Sequence, residues 1–298
     1  MVAEPQVPFS AGTHAPKLAA PAGACDCHMH IYDSRFPPAP GASLRPPDAS
    51  VADYRRLQGR LRTARNVVVT PSKYGTDNRC TLEAIAEIGP TARGVAVVEA
   101  SVSDAELRRL DGLGVRGIRF NFSRGATTTV DMIAPLSRRV HELGWHVQLL
   151  MPASLLVELQ DLLRSLPSAI VFDHLGRVPL PESVASPAFA VIRRLIDSGR
   201  TWVKLSGAYL FSKAGGPDYP DVAGLAKAFV TAAPERVVWG TDWPHAVASA
   251  GEQTMPDDAD LLDLLLDWAP DDAVRRRILV DNPAGLYDFP PTTRSTQC

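Results

Sequence analysis

The stretch GACDCHMHIYD at residues 23–33 carries two histidines, His28 and His30, two positions apart. A helix turns residues two apart onto different faces, whereas a strand puts them on one. Read as a strand, the segment aims both imidazoles the same way, with Asp26 below them and Tyr32 above. Paired imidazoles at a strand end suit a metal or proton-transfer site. The plain alternative is a surface strand with chance polar residues, and the rest of the chain has to decide between the two.

Eight short apolar runs recur along the chain, at residues 24–32, 65–72, 93–100, 115–122, 145–152, 169–176, 201–209 and 236–245. They are rich in Val, Ile and aromatic residues, as buried parallel strands are. Amphipathic stretches separate them. Helices are expected at 81–89, 103–114, 128–144, 154–166, 187–199 and 221–233, with two more, 258–269 and 271–287, closing the chain. Strands alternating with helices imply a parallel sheet with right-handed crossovers. The chain has 298 residues, and a (β/α)8 TIM barrel typically takes about 250. This α/β barrel fits the strand count better than an open sheet, and no G-x-G-x-x-G follows the first strand to support a dinucleotide fold. The expected organisation is an extended N-terminal arm at 1–23, rich in Pro and Ala, and a single barrel domain at 24–298. The irregular connection at 33–54 breaks the rhythm and reads as a lid.

Composition removes several classes. A net charge of −2 gives no global field to attract nucleic acid or an anionic membrane. No segment approaches the roughly 20 apolar residues of a membrane helix. The first residues have no basic region followed by an apolar core, so they do not read as a secretory signal. The four cysteines, Cys25, Cys27, Cys80 and Cys298, read as reduced thiols in a cytoplasmic protein. A monomer or small homo-oligomer is expected.

Barrel chemistry sits at the C-terminal ends of the strands. That rule selects His28 and His30 on strand 1, Lys73 and Tyr74 after strand 2, and Arg119 and Asn121 on strand 4, with Arg124 on the loop beyond. It also selects His174 and Arg177 after strand 6, Ser206 and Tyr209 after strand 7, and Asp242 and His245 after strand 8. His28, His30 and His174, with Asp242, could hold one divalent ion, zinc being the best match to such donors. The imidazoles could instead polarise a carbonyl directly. Asp242 could then accept a proton from an attacking water. Each residue also has an ordinary reading: His174 as a core histidine, Asp242 as a turn cap before Pro244. Their joint placement argues against coincidence. Strand 5 ends in QLLMP, which offers no ligand to bridge a second ion, and His146 starts that strand, at the opposite end of the barrel, in a structural position. Arginines and phenols gathered at one end suit an anionic substrate, because guanidinium pairs with carboxylates in a bidentate manner. The competing reading pairs the arginines with loop carboxylates such as Asp77 or Asp131.

The segments CDCHMHIYD, PSKYGTDN, GIRFNF, VFDHLGR and VVWGTDWPH together resemble the lactonase branch of the amidohydrolase superfamily, over nearly the whole chain. The resemblance implies a hydrolase that opens an anionic lactone, such as a muconolactone, a pyrone dicarboxylate or a sugar-acid lactone, in the breakdown of aromatic or related compounds. It implies His28, His30, His174 and Asp242 as the catalytic set, with Asp242 as general base. Arg119, Asn121, Arg124, Arg177, Lys73, Tyr74, Tyr209 and His245 would be substrate contacts. Members of the branch work either with zinc or without metal. The same branch includes a D-galactarolactone-type isomerase, which lacks the intact H-x-H and has Asn in place of Asp242; the presence of both here favours hydrolysis. A metal-dependent decarboxylase would want a further acidic ligand near strand 1, and a non-catalytic binding barrel would not need the full set. After strand 7 the chain reads SGAYLFSK, with Tyr209 and Leu210 where the pyrone-dicarboxylate enzyme is expected to have another arginine.

Overall fold

The computed structural model describes residues 6–123 and 127–290. Among these residues there are eight strands: β1 (Cys25–Met29), β2 (Arg65–Val69), β3 (Ala92–Ala96), β4 (Val115–Asn121), β5 (His146–Leu150), β6 (Ala169–Phe172), β7 (Thr201–Leu205) and β8 (Val237–Trp239). They pair in parallel in sequence order from β1 to β8. The two edge strands meet through backbone bonds, Asp242 N donating to His28 O at 2.7 Å and His30 N donating to Trp243 O at 2.8 Å. The result is the expected (β/α)8 barrel.

Alternation within the strands divides the side chains. Cys25, Cys27, Val67, Val69, Val95, Val171 and Val238 fill the lower interior, plugged from below by Tyr287 and Phe289. Ile118, Phe120, Val147, Leu149, Val203, Leu205 and Trp239 belong to the larger apolar layer shared with the helices. His146 is buried among the lower residues, its ring edge-on to Tyr287 at 5.3 Å between centroids. Cys25, Cys27 and Cys80 are free buried thiols, while Cys298 lies outside the described residues. Among the described residues no helix is long and apolar enough to cross a membrane.

Among the described residues two α-helices lie outside the expected spans, the four-residue Ala246–Ser249 and a longer one after β1. The connection after β1 does not run irregularly to residue 54 but enters a helix at Val51–Leu61. Its signals are local. The Ser50 side chain accepts from Asp53 N at 3.2 Å and Asp53 accepts in return from Ser50 N, a reciprocal cap. Val51, Tyr54, Leu57 and Leu61 then form one buried stripe. The remaining loop turns back at Tyr32 and Ala49, which form an isolated antiparallel bridge, and places Leu44 against the cavity at the barrel mouth.

Candidate active site

The two histidines of β1 face the barrel interior by a route that simple alternation does not give. Register between β1 and β2 slips between Asp26 and Met29, the mark of an extra residue that turns two neighbours the same way. Cys27 therefore joins the interior cluster, and His28 also points inward, to Lys204 and Asp173. Asp26 faces the helix layer instead of lying below the histidines. It accepts from the Tyr54 hydroxyl at 3.0 Å, from Thr241 N at 3.0 Å and from Thr241 Oγ1 at 2.6 Å. Burial lifts its carboxyl to about 6 despite those bonds.

His30, His174 and Asp242 line a cavity of about 220 Å³ at the C-terminal end of the strands, and the fully buried His28 packs against them from beneath. Nε2 of His28 and of His30 are 3.3 Å apart. Asp242 Oδ1 lies 3.5 Å from each of them and 3.8 Å from His174 Nε2. The far side of each ring is also held. His30 Nδ1 donates to Val69 O at 2.7 Å, and His174 Nδ1 is 2.9 Å from Ser206 Oγ. The Tyr209 hydroxyl donates to Asp242 Oδ2 at 2.6 Å, which turns Oδ1 towards the imidazoles. Arg119, Asn121, Ser123 and Arg177 line one part of the cavity wall, and Leu44, Leu150, Leu210, Ala246 and Val247 line another.

Beneath the floor is a fully buried polar layer. Lys204 Nζ donates to Cys27 O at 2.9 Å and to Gln148 Oε1 at 2.8 Å, and it lies 3.2 Å from His28 Nδ1. Asp173 receives Arg119 Nε at 3.0 Å and Gln148 Nε2 at 3.1 Å on Oδ2, with Oδ1 3.2 Å from His28 Nδ1. Burial opposes the Asp173 charge, but the surrounding His28, Arg119 and Lys204 outweigh it and hold its pKa well below the usual range. Burial pulls the Lys204 ammonium down, and the same burial, reinforced by Lys204, keeps His28 neutral. His174 is lowered to about 4, chiefly by burial. Burial also opposes the Asp242 charge, yet the neighbouring imidazoles outweigh it and keep the carboxyl ionised.

A family model described as Amidohydrolase matches residues 25–289. The chain belongs to the amidohydrolase family. It is 39% identical over 284 residues to a 2-pyrone-4,6-dicarboxylate hydrolase of Comamonas testosteroni, covering 91% of this chain and 92% of that protein. It is 38% identical over 280 residues to a 4-sulfomuconolactone hydrolase of Rhizobium radiobacter, covering 91% of each chain. A D-galactarolactone isomerase of Agrobacterium fabrum is 34% identical over 279 residues, covering 93% of this chain and 95% of the relative.

In this amidohydrolase the expected substrate contacts divide. Arg119, Asn121 and Arg177 line the cavity. Arg119 also binds Asp173, so the competing reading was right that it has a carboxylate partner, though that partner is on β6's end and not in a loop. Tyr209 bonds to Asp242 and does not line this cavity. Tyr74 is buried, its hydroxyl 3.0 Å from Asp33 O, and Lys73 Nζ sits 5.4 Å from the centres of the Tyr32 and Tyr74 rings; neither lines the cavity. His245 is sealed behind it against Asp258 at 3.1 Å. Burial alone would lower the His245 pKa, but the Asp258 charge outweighs it and raises it. Arg124 lies outside the described residues. Lys204, Gln148 and Asp173 were missed as site residues. Their signals were a Lys in TWVKL, a Gln in HVQLL and the Asp that ends AIVFD, polar side chains in otherwise apolar runs.

His28, His174 and Asp242 offer donor atoms that all lie within 4.8 Å of one another, and His30 Nε2 stands beside them. The separations of 3.3 to 3.8 Å match the roughly 3.3 Å between neighbouring donors that zinc–nitrogen bonds of about 2.0–2.1 Å imply in a tetrahedron. A carbonyl can only accept, so Val69 O places the His30 proton on Nδ1 and leaves Nε2 bare. His28 has a choice. With its proton on Nδ1 towards Asp173, Nε2 is free for an ion; with Lys204 donating to Nδ1, the proton moves to Nε2 and the ring becomes a donor to the cavity. The donor set fits one divalent ion and also direct hydrogen bonding to a carbonyl oxygen.

Proposed function

We propose that this amidohydrolase opens an anionic lactone by water attack on the ring carbonyl. The observation that carries the reading is the convergence of His28, His30 and His174 Nε2 on Asp242 Oδ1, at the floor of a cavity that Arg119 and Arg177 also line. The arginines and Asn121 bind the anionic group and set the ring orientation. The Nε2–H of His174, and that of His28 in the tautomer with its proton on Nε2, stabilise the oxyanion as the carbonyl becomes tetrahedral, while His30 Nε2, bare of a proton, does not donate. Asp242 takes one proton from water as the new C–O bond forms. The ring C–O bond then breaks, and the leaving oxygen takes that proton back. The new carboxylic acid ionises, so each turnover releases one proton to solvent. His28, His30, His174 and Asp242 would hold a single ion, zinc by preference, which when bound would polarise the carbonyl and lower the pKa of water. The relatives named as lactone hydrolases, at 38% and 39% identity, support hydrolysis over isomerisation. A cytoplasmic location fits the free buried thiols.

A panel of carboxylated and sulfonated lactones, followed by acid release and by NMR of the product, tests the proposal. Acid release with a ring-opened hydroxy acid or keto acid is expected. Conversion without acid release, giving a rearranged lactone, would make the enzyme an isomerase.

A further inference from the structure

We infer that Pro8–Ser10 of the N-terminal arm are positioning residues for Asp242, clamping from outside the turn that carries it; this rests on the proposed role of Asp242 as base. The turn is strained. Asp242 has φ +68° and His245 has φ +56°, left-handed conformations that non-glycine residues keep only where the surroundings over-determine them. From the barrel side the turn is held by Asp242 N donating to His28 O, by His30 N donating to Trp243 O and by Trp243 N donating to Thr241 Oγ1 at 3.0 Å.

The other side belongs to the arm. Trp243 Nε1 donates to Pro8 O at 2.9 Å. The Phe9 ring meets the Trp243 indole edge-on, 5.8 Å between centroids. Ser10 Oγ accepts from Asp258 N at 3.2 Å. The Asp258 carboxylate lies 3.1 Å from His245 Nε2, and His245 N donates to Asp242 O at 2.7 Å. Arm contacts thus bear on both ends of the turn, one through Trp243 and one through Asp258 and His245, and Trp243, His245 and Asp258 are all fully buried. The arm is itself fastened by Arg60, which donates to Ser10 Oγ at 3.2 Å, Ala11 O at 3.1 Å and His14 O at 2.8 Å, and by Ala11 N donating to Pro256 O at 2.8 Å. The barrel's strands and its helical layer lie in residues 25–286, so the segment that secures Asp242 from outside lies apart from the fold that secures it from inside.

The test compares the full chain with a chain lacking residues 1–13. Amide exchange of the 241–250 segment needs no substrate and is read first. It should rise at least about tenfold, the factor for losing roughly 1.4 kcal/mol of local closure, while exchange in β4 and β5 is unchanged. On a lactone that the full chain hydrolyses, kcat should fall by about tenfold or more with KM within about threefold, the pattern of a lost transition-state interaction. A synthetic peptide of residues 6–13 added in trans should restore both. Should the shortened chain not fold, Phe9→Ala combined with Ser10→Ala in the full chain gives the same two readouts. His14→Ala, which removes only the outer contacts to Asp257 and Asp260, should leave both at wild-type values. Unchanged exchange at 241–250 in a folded variant overturns the inference, as does unchanged kcat. A full chain that hydrolyses no lactone counts against the proposed function instead, and the exchange result then decides the clamp alone.

Discussion

The Asp242 carboxylate has two oxygens with separate duties. Oδ2 receives the Tyr209 phenol and Oδ1 faces three imidazoles. Asp242→Asn keeps the shape and removes the proposed base, so kcat should fall by ~10²–10⁴-fold with the fold intact by circular dichroism; wild-type turnover would take Asp242 out of the mechanism. The arginines are separable in the same way. Arg119 lines the cavity and also binds Asp173, and Arg177 lines the cavity and stacks over the Phe211 ring at 5.6 Å. Loss of a desolvated charge partner costs about 2–5 kcal/mol. Arg177→Met should therefore lower kcat/KM for the anionic lactone by tens- to thousands-fold and barely change that for a neutral analogue. Arg119→Met should weaken both and also lower the melting temperature, because Asp173 loses a partner. Equal loss on both substrates for Arg177→Met would remove it from substrate recognition.

At the scale of elements, the strand runs read from periodicity lie within a few residues of all eight observed strands, because a buried parallel strand writes its apolar run locally. The Val51–Leu61 helix was legible too, in the Ser50–Asp53 cap and its apolar stripe, but the prolines before it drew the reading to a loop. The side of β1 on which Asp26 lies was not legible. It depends on a register slip against β2, a relation between segments 40 residues apart in sequence (Cys25 with Arg65). Lys204, Gln148 and Asp173 were hidden for a similar reason: each is a single polar residue whose meaning comes only from the other strands. The turn after β7 supplies a test of how tightly the elements fit. Gly207 has φ +66°, and a Cβ there would sit 2.7 Å from His174 Nδ1. Gly207→Ala should cost about 1–2 kcal/mol in backbone strain alone, seen as a lower urea midpoint, and should reduce activity further by displacing His174. Wild-type stability and activity would show that the turn is slack.

For the whole molecule, the barrel sets its titratable groups apart along its axis, with the imidazoles of His30 and His174 and Asp242 at the C-terminal end of the strands and His146 in the lower interior beside Tyr287. Burial drives the His146 pKa from 6.5 to about 3, so between those values the unfolded chain binds a proton that the native chain does not. Stability from keeping this ring neutral is therefore lost as pH falls from 6.5 towards 3, at up to about 1.4 kcal/mol per pH unit. Urea unfolding at pH 4, 5 and 6 should show the difference in stability between wild type and His146→Leu growing with pH by about that slope. A constant difference would mean that His146 titrates alike in both states. The arm, read from sequence only as an extended segment, touches the far side of the turn that carries Asp242, a contact between residues more than 200 positions apart (Pro8 with Trp243) that no local pattern announces.

Water attack on a lactone carbonyl beside Asp242 is the central step of the proposed reaction. Turnover of an anionic lactone in ¹⁸O-labelled water, with the product examined by mass spectrometry, addresses that step without reference to metal content. Hydrolysis by this route puts one ¹⁸O atom in the new carboxylate of a ring-opened product, and that product is lost with Asp242→Asn. Full conversion to a lactone isomer carrying no ¹⁸O would contradict it.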